Sequence, residues 1–596
     1  MTEAGAATIT YTYANEDYAF WGTRKKENYD VAIRIDDPRL IGKKITAINA
    51  TLYATSGISH TSLWLSKELR LENRVNAPDI TSVAVTPDAY GELKATLDDP
   101  YVITGDGVYA GYSFVTDELN EQTVNPLLLS TAVNKNGFYL HTSRSVLKWM
   151  NYGVDRLQAT AVIDVKIEGD FPEYSLDLTS LPEIYGKAGT MGTVIAEIQN
   201  TGLEPVKEIE YSYTIDGVTK SAKYTFSTPV KTNFVNPAQA SLTLETPEKT
   251  GAYDITLTID KINGNNNMSE AKSAKTTFNS VSIVPKHLPL MEEYTGTWCG
   301  WCPRGWFALE KMNKLYGDEF IGIAYHNGDP MAVVPESDYP IIVNGFPSAS
   351  IDRGEEMDPY YGLADDGFGI EAAWKDARSI FAPATLGVYA WWTDDTQTAI
   401  DVTSFTKFVV AKEDADYRLA YVLCADDLHS VDTEWDQHNY YPDYASKYIG
   451  TELYELCEMG STINDLHFNE VALIADTPEG IDGSLPGDIE ADKVIEDHYT
   501  FRTDGVKELI QNPAKLFVVA MIIDSKTGKV VNAAKGAVAF EAAGIDAVRA
   551  TECEEVSSVR YTDLQGRTVK SPNAGVYVKT TKFKDGSIRS EKIMKK

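Results

Sequence analysis

Apolar and polar positions alternate with a period of two along most of the first 280 residues, in short runs broken by Gly, Pro and Asn. That period puts successive side chains on opposite faces of a strand, so half-buried β-strands are expected. Residues 29–35, 44–53 and 107–115 read this way, and helical periodicity is almost absent. Residues 1–168 are expected to form one jelly-roll-like β-sandwich. Residues 169–283, a span of 115 (283 − 169 + 1), match a smaller, immunoglobulin-like sandwich in size. Within it, strand 194–198 runs into the Asn200-Thr201-Gly202 turn, and Asp216-Gly217 is a two-residue hairpin signal between alternating strands. The cluster Asn263-Gly264-Asn265-Asn266-Asn267 reads as turn chemistry rather than a cation site, because amide oxygens without carboxylates bind metal poorly.

The pattern changes at Val284. A strand over 288–294 leads into Thr295-Gly296-Thr297-Trp298-Cys299-Gly300-Trp301-Cys302-Pro303-Arg304. Trp306, Leu309, Met312 and Tyr316 then recur at three- and four-residue steps and predict a helix. An apolar strand follows at 320–325, and Gly345-Phe346-Pro347-Ser348 sets a proline at the start of another. After a helix over 367–381 the chain returns to strands at 385–392, 398–403 and 417–424. Residues 284–382 are therefore expected to form an α/β domain and 383–545 a third sandwich. The last hairpin of that sandwich, turning at Ser525-Lys526-Thr527-Gly528, has the α/β sheet as an alternative partner. Residues 476–497 carry eight acids and one lysine without Asp-x-Asp-x-Asp-Gly spacing, so a solvated acidic loop is favoured over a calcium loop.

Chemistry concentrates at Cys299-Gly300-Trp301-Cys302. At a strand-to-helix junction the helix amides and dipole stabilise a thiolate, and a second cysteine one turn on can resolve a mixed disulfide. Half a zinc site would look the same, but no second Cys pair or His pair completes a tetrahedron, and the other cysteines stand alone at 424, 457 and 553. No metal and no cofactor is expected. Glu293 lies six residues before Cys299 (299 − 293), where a proton acceptor beneath the buried thiol is needed, and Pro347 lies 45 residues beyond Cys302 (347 − 302). In a thioredoxin fold a cis-proline at that point faces the sulfurs. The expected roles are Cys299 as exposed nucleophile, Cys302 as resolving thiol, Glu293 as general base and Pro347 as the cis-proline. Trp298, Trp301 and Phe346 are expected to meet the substrate. His326 and Asp329 could tune Cys299, but Gly328-Asp329-Pro330 reads first as loop structure. A disulfide between Cys424 and Cys457 is left open, since spacing alone cannot establish geometry.

Glu293-Tyr294-Thr295-Gly296-x-x-Cys299-x-x-Cys302-Pro303-x-Gly305, His326-Asn327-Gly328-Asp329-Pro330-Met331 and Gly345-Phe346-Pro347-Ser348 together resemble the thioredoxin-like outer-membrane protein family of Bacteroidota. The resemblance covers about 284–540 and implies a thioredoxin-like domain over 284–382 in an exported, envelope-associated protein. The Gly-Trp between the cysteines departs from the thioredoxin Gly-Pro, so a redox poise does not carry over. The tail differs in composition. Residues 560–596 carry ten Lys/Arg and three Asp/Glu, a net +7. Its strand–turn–strand pattern is similar to the C-terminal sorting domain of type IX secretion, here placed at 546–596. The alternative is a basic β module docked on an acidic body.

Net charge sets the remaining limits. Acids outnumber bases 87 to 54, a formal −33, which disfavours broad binding to nucleic acid or an anionic membrane. No apolar run approaches the ~18 residues of a transmembrane helix. The start has neither a basic nor an apolar leader region, so the protein is either cytoplasmic or has lost its leader; the cysteine motif and the tail favour the second. The expectation is a mainly β, multidomain protein at the outer membrane, cell surface or outside the cell, acting as a thiol–disulfide oxidoreductase on thiols and disulfides of envelope or secreted proteins. Its tail would engage the outer-membrane secretion machinery. The alternative is a non-enzymatic surface adhesin or binding protein with the thioredoxin unit as scaffold.

Overall fold

A computed structural model describes residues 6–540, apart from 16, 23–25, 117–124, 155–156, 365–366 and 394–395. In the tail it describes strands Val556–Asp563, Thr568–Val569, Gly575–Phe583 and Ile588–Lys595. The protein is mainly β and divides into two compact units, Met1–Ser280 and Val281–Lys596.

The first unit is built from the alternating runs. One sheet orders Ala7–Thr12, Ile163–Gly169, Lys44–Thr51 and Glu92–Val102; a second, six-stranded sheet is centred on Asn28–Ile35 and Val108–Thr116. Inward residues of both, among them Ile48, Val165, Ile33 and Tyr112, form one buried cluster. From Leu176 a second pair of sheets encloses its own core of Ala196, Leu242, Tyr211 and Leu257. Arg39 ties the two layers of this unit together. Its guanidinium donates to Asp177 at 2.7 Å, to Gln199 at 2.9 Å and to the Phe234 carbonyl at 2.7 Å.

The second unit is organised by one ten-stranded sheet. Its strands are β1 (Leu290–Thr295), β2 (Ile321–His326), β3 (Ser348–Ile351), β4 (Ala384–Trp392), β5 (Ala399–Phe408), β6 (Tyr417–Ala425), β7 (Val471–Ile474), β8 (Val494–Arg502), β9 (Leu516–Asp524) and β10 (Lys529–Ala539). Their spatial order is β3-β1-β2-β7-β6-β9-β10-β4-β5-β8. β1 and β2 are parallel, joined by helix α1 (Pro303–Tyr316), while β3 runs antiparallel to β1 at the sheet edge. The sheet passes straight through the expected division at 382/383. The β9–β10 hairpin pairs with β6 and β4, both strands of the expected 383–545 region and not of the α/β domain, while β6 joins β2 through β7, so among the described residues the strands of the two expected domains lie in one continuous sheet. The physical reason is burial: eight of the nine residues of β9 are buried, which an outer strand with one wet face would not need. The expected boundary at 545/546 lies outside the described residues.

α1 starts at Pro303, a residue suited to the first helical position, and ends at Gly317, whose φ of +52° a side chain would strain. Ala308, Leu309 and Met312 press onto one face of the sheet with Met291 and Ala324. The expected helix over 367–381 forms as α2 (Gly369–Ser379), burying Ile370 and Trp374. The other face of the sheet carries Tyr294, Tyr325, Cys424 and Met521. Between β6 and β7 the chain makes an excursion over residues 426–470, containing short helical turns such as Tyr441–Tyr444 and Tyr454–Glu458. The tail strands pair among themselves in a four-stranded sheet.

Candidate functional site

The strand β1 delivers the chain to Gly296, where a turn closes with the Cys299 N–H donating to the Gly296 carbonyl at 3.0 Å. Cys299 and Cys302 are joined as a disulfide, with Cα atoms 5.3 Å apart. Cys302 caps α1, and the Gly305 N–H donates to its carbonyl at 2.9 Å. The loop is pinned from below by Asp329. Its carboxylate accepts the Thr297 N–H at 3.0 Å, the His326 ring at 2.7 Å and the Met331 N–H at 2.9 Å. These bonds tie His326 and Asp329 into the loop that precedes Cys299.

Glu293, on β1, is 1% exposed and approaches the first turn of α1 so closely that a Cβ on residue 305 would lie 2.1 Å from its Oε1. Any side chain there would have to displace the Glu293 carboxyl. Oε1 has no hydrogen-bond partner. Burial pushes the Glu293 carboxyl up to about 8, partly offset by the Thr295 hydroxyl. The shift favours the neutral carboxyl over the carboxylate.

Phe346–Pro347 is a cis peptide leading into edge strand β3. The Phe346 ring meets Trp298 edge-to-face at 5.6 Å, and Trp298, 45% exposed, is anchored by its Nε1 donating to the Asn327 carbonyl at 2.7 Å. An open groove of about 520 Å³ runs beside Trp298, lined by Thr297, Pro330, Glu434, Asp436 and His438.

Two expectations need correction. Cys299 is only 5% exposed rather than open to solvent. The excursion 426–470 lies over it as a strap: the His438 N–H donates to the Thr297 carbonyl at 2.7 Å, and the Tyr440 N–H to the Gly300 carbonyl at 2.9 Å. The Tyr440 ring fills the space a Cβ on residue 300 would take, 2.4 Å away, so glycine is required between the cysteines. Trp301, expected to meet substrate, packs instead against Tyr440, Tyr441 and Tyr444 at ring distances of 5.8, 5.4 and 5.1 Å. Cys424 and Cys457, left open as a pair, are free. Cys424 sits in the cluster on one face of the sheet and Cys457 packs with the α1 cluster on the other. The strap was missed in the sequence; its signal was the run Tyr440, Tyr441, Tyr444 and Tyr448 in a stretch lacking strand alternation.

Behind Glu293 a cavity of about 340 Å³ lies between α1 and the sheet, lined by Thr295, Asn313, His326, Gln437, Glu470 and Lys535 among others. Among the described residues no group of three or more His, Cys, Asp or Glu side chains is placed to hold a metal ion, and no helix is long and apolar enough to cross a membrane.

No family model matches the chain, and no curated protein matches it. Among solved structures it is similar to HBP35 of Porphyromonas gingivalis, at 16% identity and a TM-score of 0.31 over 52% of this chain and 99% of that one. It is also similar to a DUF4785 family protein of Legionella pneumophila, at 9% identity and a TM-score of 0.18 over 90% of this chain and 93% of that one. The CARDB domain of the PF1109 protein from Pyrococcus furiosus, a structure in complex with di-metal ions, matches 19% of this chain and 90% of its own at 19% identity and a TM-score of 0.14. At these scores none of them assigns a fold or a function.

Proposed function

We propose that the protein is a thiol–disulfide oxidoreductase for protein clients outside the cytoplasm, with β1, α1, β2 and β3 as a thioredoxin-like working unit. One observation carries the reading: a buried carboxyl, Glu293, lies against the helix turn that bears the Cys299–Cys302 disulfide. In the oxidised form a client thiolate attacks Sγ of Cys299. The Cys299–Cys302 bond breaks, Cys302 leaves with the electron pair as a thiolate, and a neutral Glu293 supplies the proton that quenches it. A second client thiolate then attacks the client sulfur of the mixed disulfide and expels Cys299 as a thiolate, which the N-terminus of α1 stabilises. The client is oxidised to a disulfide and the protein pair reduced. In reverse, the Glu293 carboxylate takes the Cys302 proton so that Cys302 can resolve the mixed disulfide.

Trp298 and Phe346 offer an apolar ledge for an extended client segment at the sheet edge. Glu434 and Asp436 beside it favour clients carrying Lys or Arg near the reacting sulfur. The motif resemblance to the Bacteroidota envelope family and the basic tail support export, with the tail as address for type IX secretion. The test is trapping in the intact cell envelope. Cys302→Ser accumulates a covalent adduct with a client through Cys299, and Cys299→Ser accumulates none. An adhesin with an inert scaffold gives no adduct in either variant, and that result would end the oxidoreductase reading.

A further inference from the structure

The cavity behind Glu293 holds a second buried acid that the exchange chemistry above does not use. Glu470 stands at the head of β7 and is 3% exposed. Its backbone is fixed on both sides: its N–H donates to Asp426 at 3.0 Å, and its carbonyl accepts the Ala324 N–H at 2.7 Å. The side chain lines the cavity, where Asn313 on α1 donates to its Oε1. Glu293 lines the same cavity, where its buried Oε1, without a partner, needs a hydrogen-bonding neighbour; the lining mixes polar and apolar side chains, and about 340 Å³ has room for water. Burial pushes the Glu470 carboxyl up to about 7, against the pull of Lys535, and Glu470 in turn raises Glu293. The other charged or titratable groups facing the chamber are Glu310 and Lys314 from α1, His326 from β2 and Asp426 after β6.

We propose that Glu470 is the second proton-holding residue of the Cys299–Cys302 couple, exchanging protons with Glu293 through water in this cavity. The inference rests on the redox reading of the cysteine pair. When Cys302 leaves as a thiolate it takes the Glu293 proton; Glu293 is reprotonated from Glu470 through cavity water, and Glu470 from solvent past Glu310 and Lys314. The net change is one proton taken up from solvent for the Cys302 thiol formed. Glu470 is a positioning residue for the proton and touches neither sulfur nor client.

The test needs no client. Oxidised full-length protein is reduced with dithiothreitol in stopped flow between about pH 5.5 and 9, bracketing both acids, and followed by tryptophan fluorescence. Glu470→Gln should slow reduction about tenfold near neutrality and remove the lower ionisation from the rate profile. Because the two acids act in series, Glu293→Gln/Glu470→Gln should be no slower than Glu293→Gln alone. Asn313→Ala removes the hydrogen bond but not the proton and should stay within about twofold of wild type. Should Glu470→Gln fail to fold, Glu470→Asp decides, with the ionisation displaced rather than lost. An unchanged profile in Glu470→Gln, multiplying effects in the double variant, an equal loss in Asn313→Ala, or a pair that dithiothreitol does not reduce would each overturn the relay. Absence of client adducts with these kinetics as expected would overturn the oxidoreductase reading and leave the relay standing.

Discussion

The side-chain amide of Gln437 donates to the carbonyl of Cys299 at 2.9 Å, across 138 residues of sequence. The same nitrogen lies 3.2 Å from the Thr297 carbonyl and 2.9 Å from that of His438. Gln437 is 3% exposed, so these are desolvated bonds, costly to leave unmade. The Gln437 side chain thus adds to the backbone bonds from His438 and Tyr440 that hold the strap over the cysteine loop.

Gln437→Ala should therefore expose Cys299. Losing two net hydrogen bonds at about 1 kcal/mol each raises the open population roughly tenfold to thirtyfold. The measurement is the rate of iodoacetamide alkylation at Cys299 in the reduced protein, read by mass spectrometry. An unchanged rate would show that the strap does not gate the thiol.

Much of the site was legible in the sequence because its chemistry is local. Cys299, Cys302 and the start of α1 lie within one turn, Glu293 stands within strand β1, and Pro347 stands just before β3. What escaped was long-range. Alternation in β4, β5 and β6 marks strands but not the sheet they join, and the partner of β6 is decided by burial on both faces of β9. Tyr440 reveals its role only once it lies against Gly300. Glu470 reads as a surface acid until the fold brings Asn313, 157 residues away, onto its carboxylate.

Glu292 and Arg353 make a second buried relationship on the opposite face of β1 from Glu293. Arg353 Nε lies 3.1 Å from Glu292 Oε2 and Nη2 3.3 Å from Oε1, with side-chain exposures of 4% and 0%. Glu292→Gln leaves the guanidinium buried without its charge partner and should cost about 3–5 kcal/mol. The apolar pair Glu292→Leu/Arg353→Met should recover most of that loss. Urea unfolding of the three proteins checks both statements.

The tail makes a prediction about display. Its described strands pair only with one another. Deleting 546–596 should leave the thermal transition of the body within about 2 °C, since surface changes rarely exceed ~0.5 kcal/mol. It should also remove the protein from the cell surface, as read by protease accessibility of intact cells. Equal surface levels of the truncated and complete proteins would dismiss the sorting role.

Glu293 predicts how stability follows pH. Its carboxyl is raised by burial from an ordinary 4.5 to about 8 in the folded protein. Between those values the folded state holds a proton that the unfolded chain has released. Stability is governed by the difference in bound protons, so it is greatest below the ordinary carboxylate range and falls as pH rises through the window, vanishing as a contribution above about 8. The slope from one such group is at most about 1.4 kcal/mol per pH unit. Glu470, raised to about 7, acts in the same direction over the lower part of the window. Glu293→Gln cannot release a proton, so its unfolding free energy should fall less steeply than wild type from about pH 5 to about pH 8, by close to one proton's worth of slope. Urea titrations of the oxidised protein across that range measure it. Parallel slopes in the two proteins would mean that the Glu293 carboxyl is already ionised in the folded state, and the proton assigned to Cys302 would have to come from elsewhere.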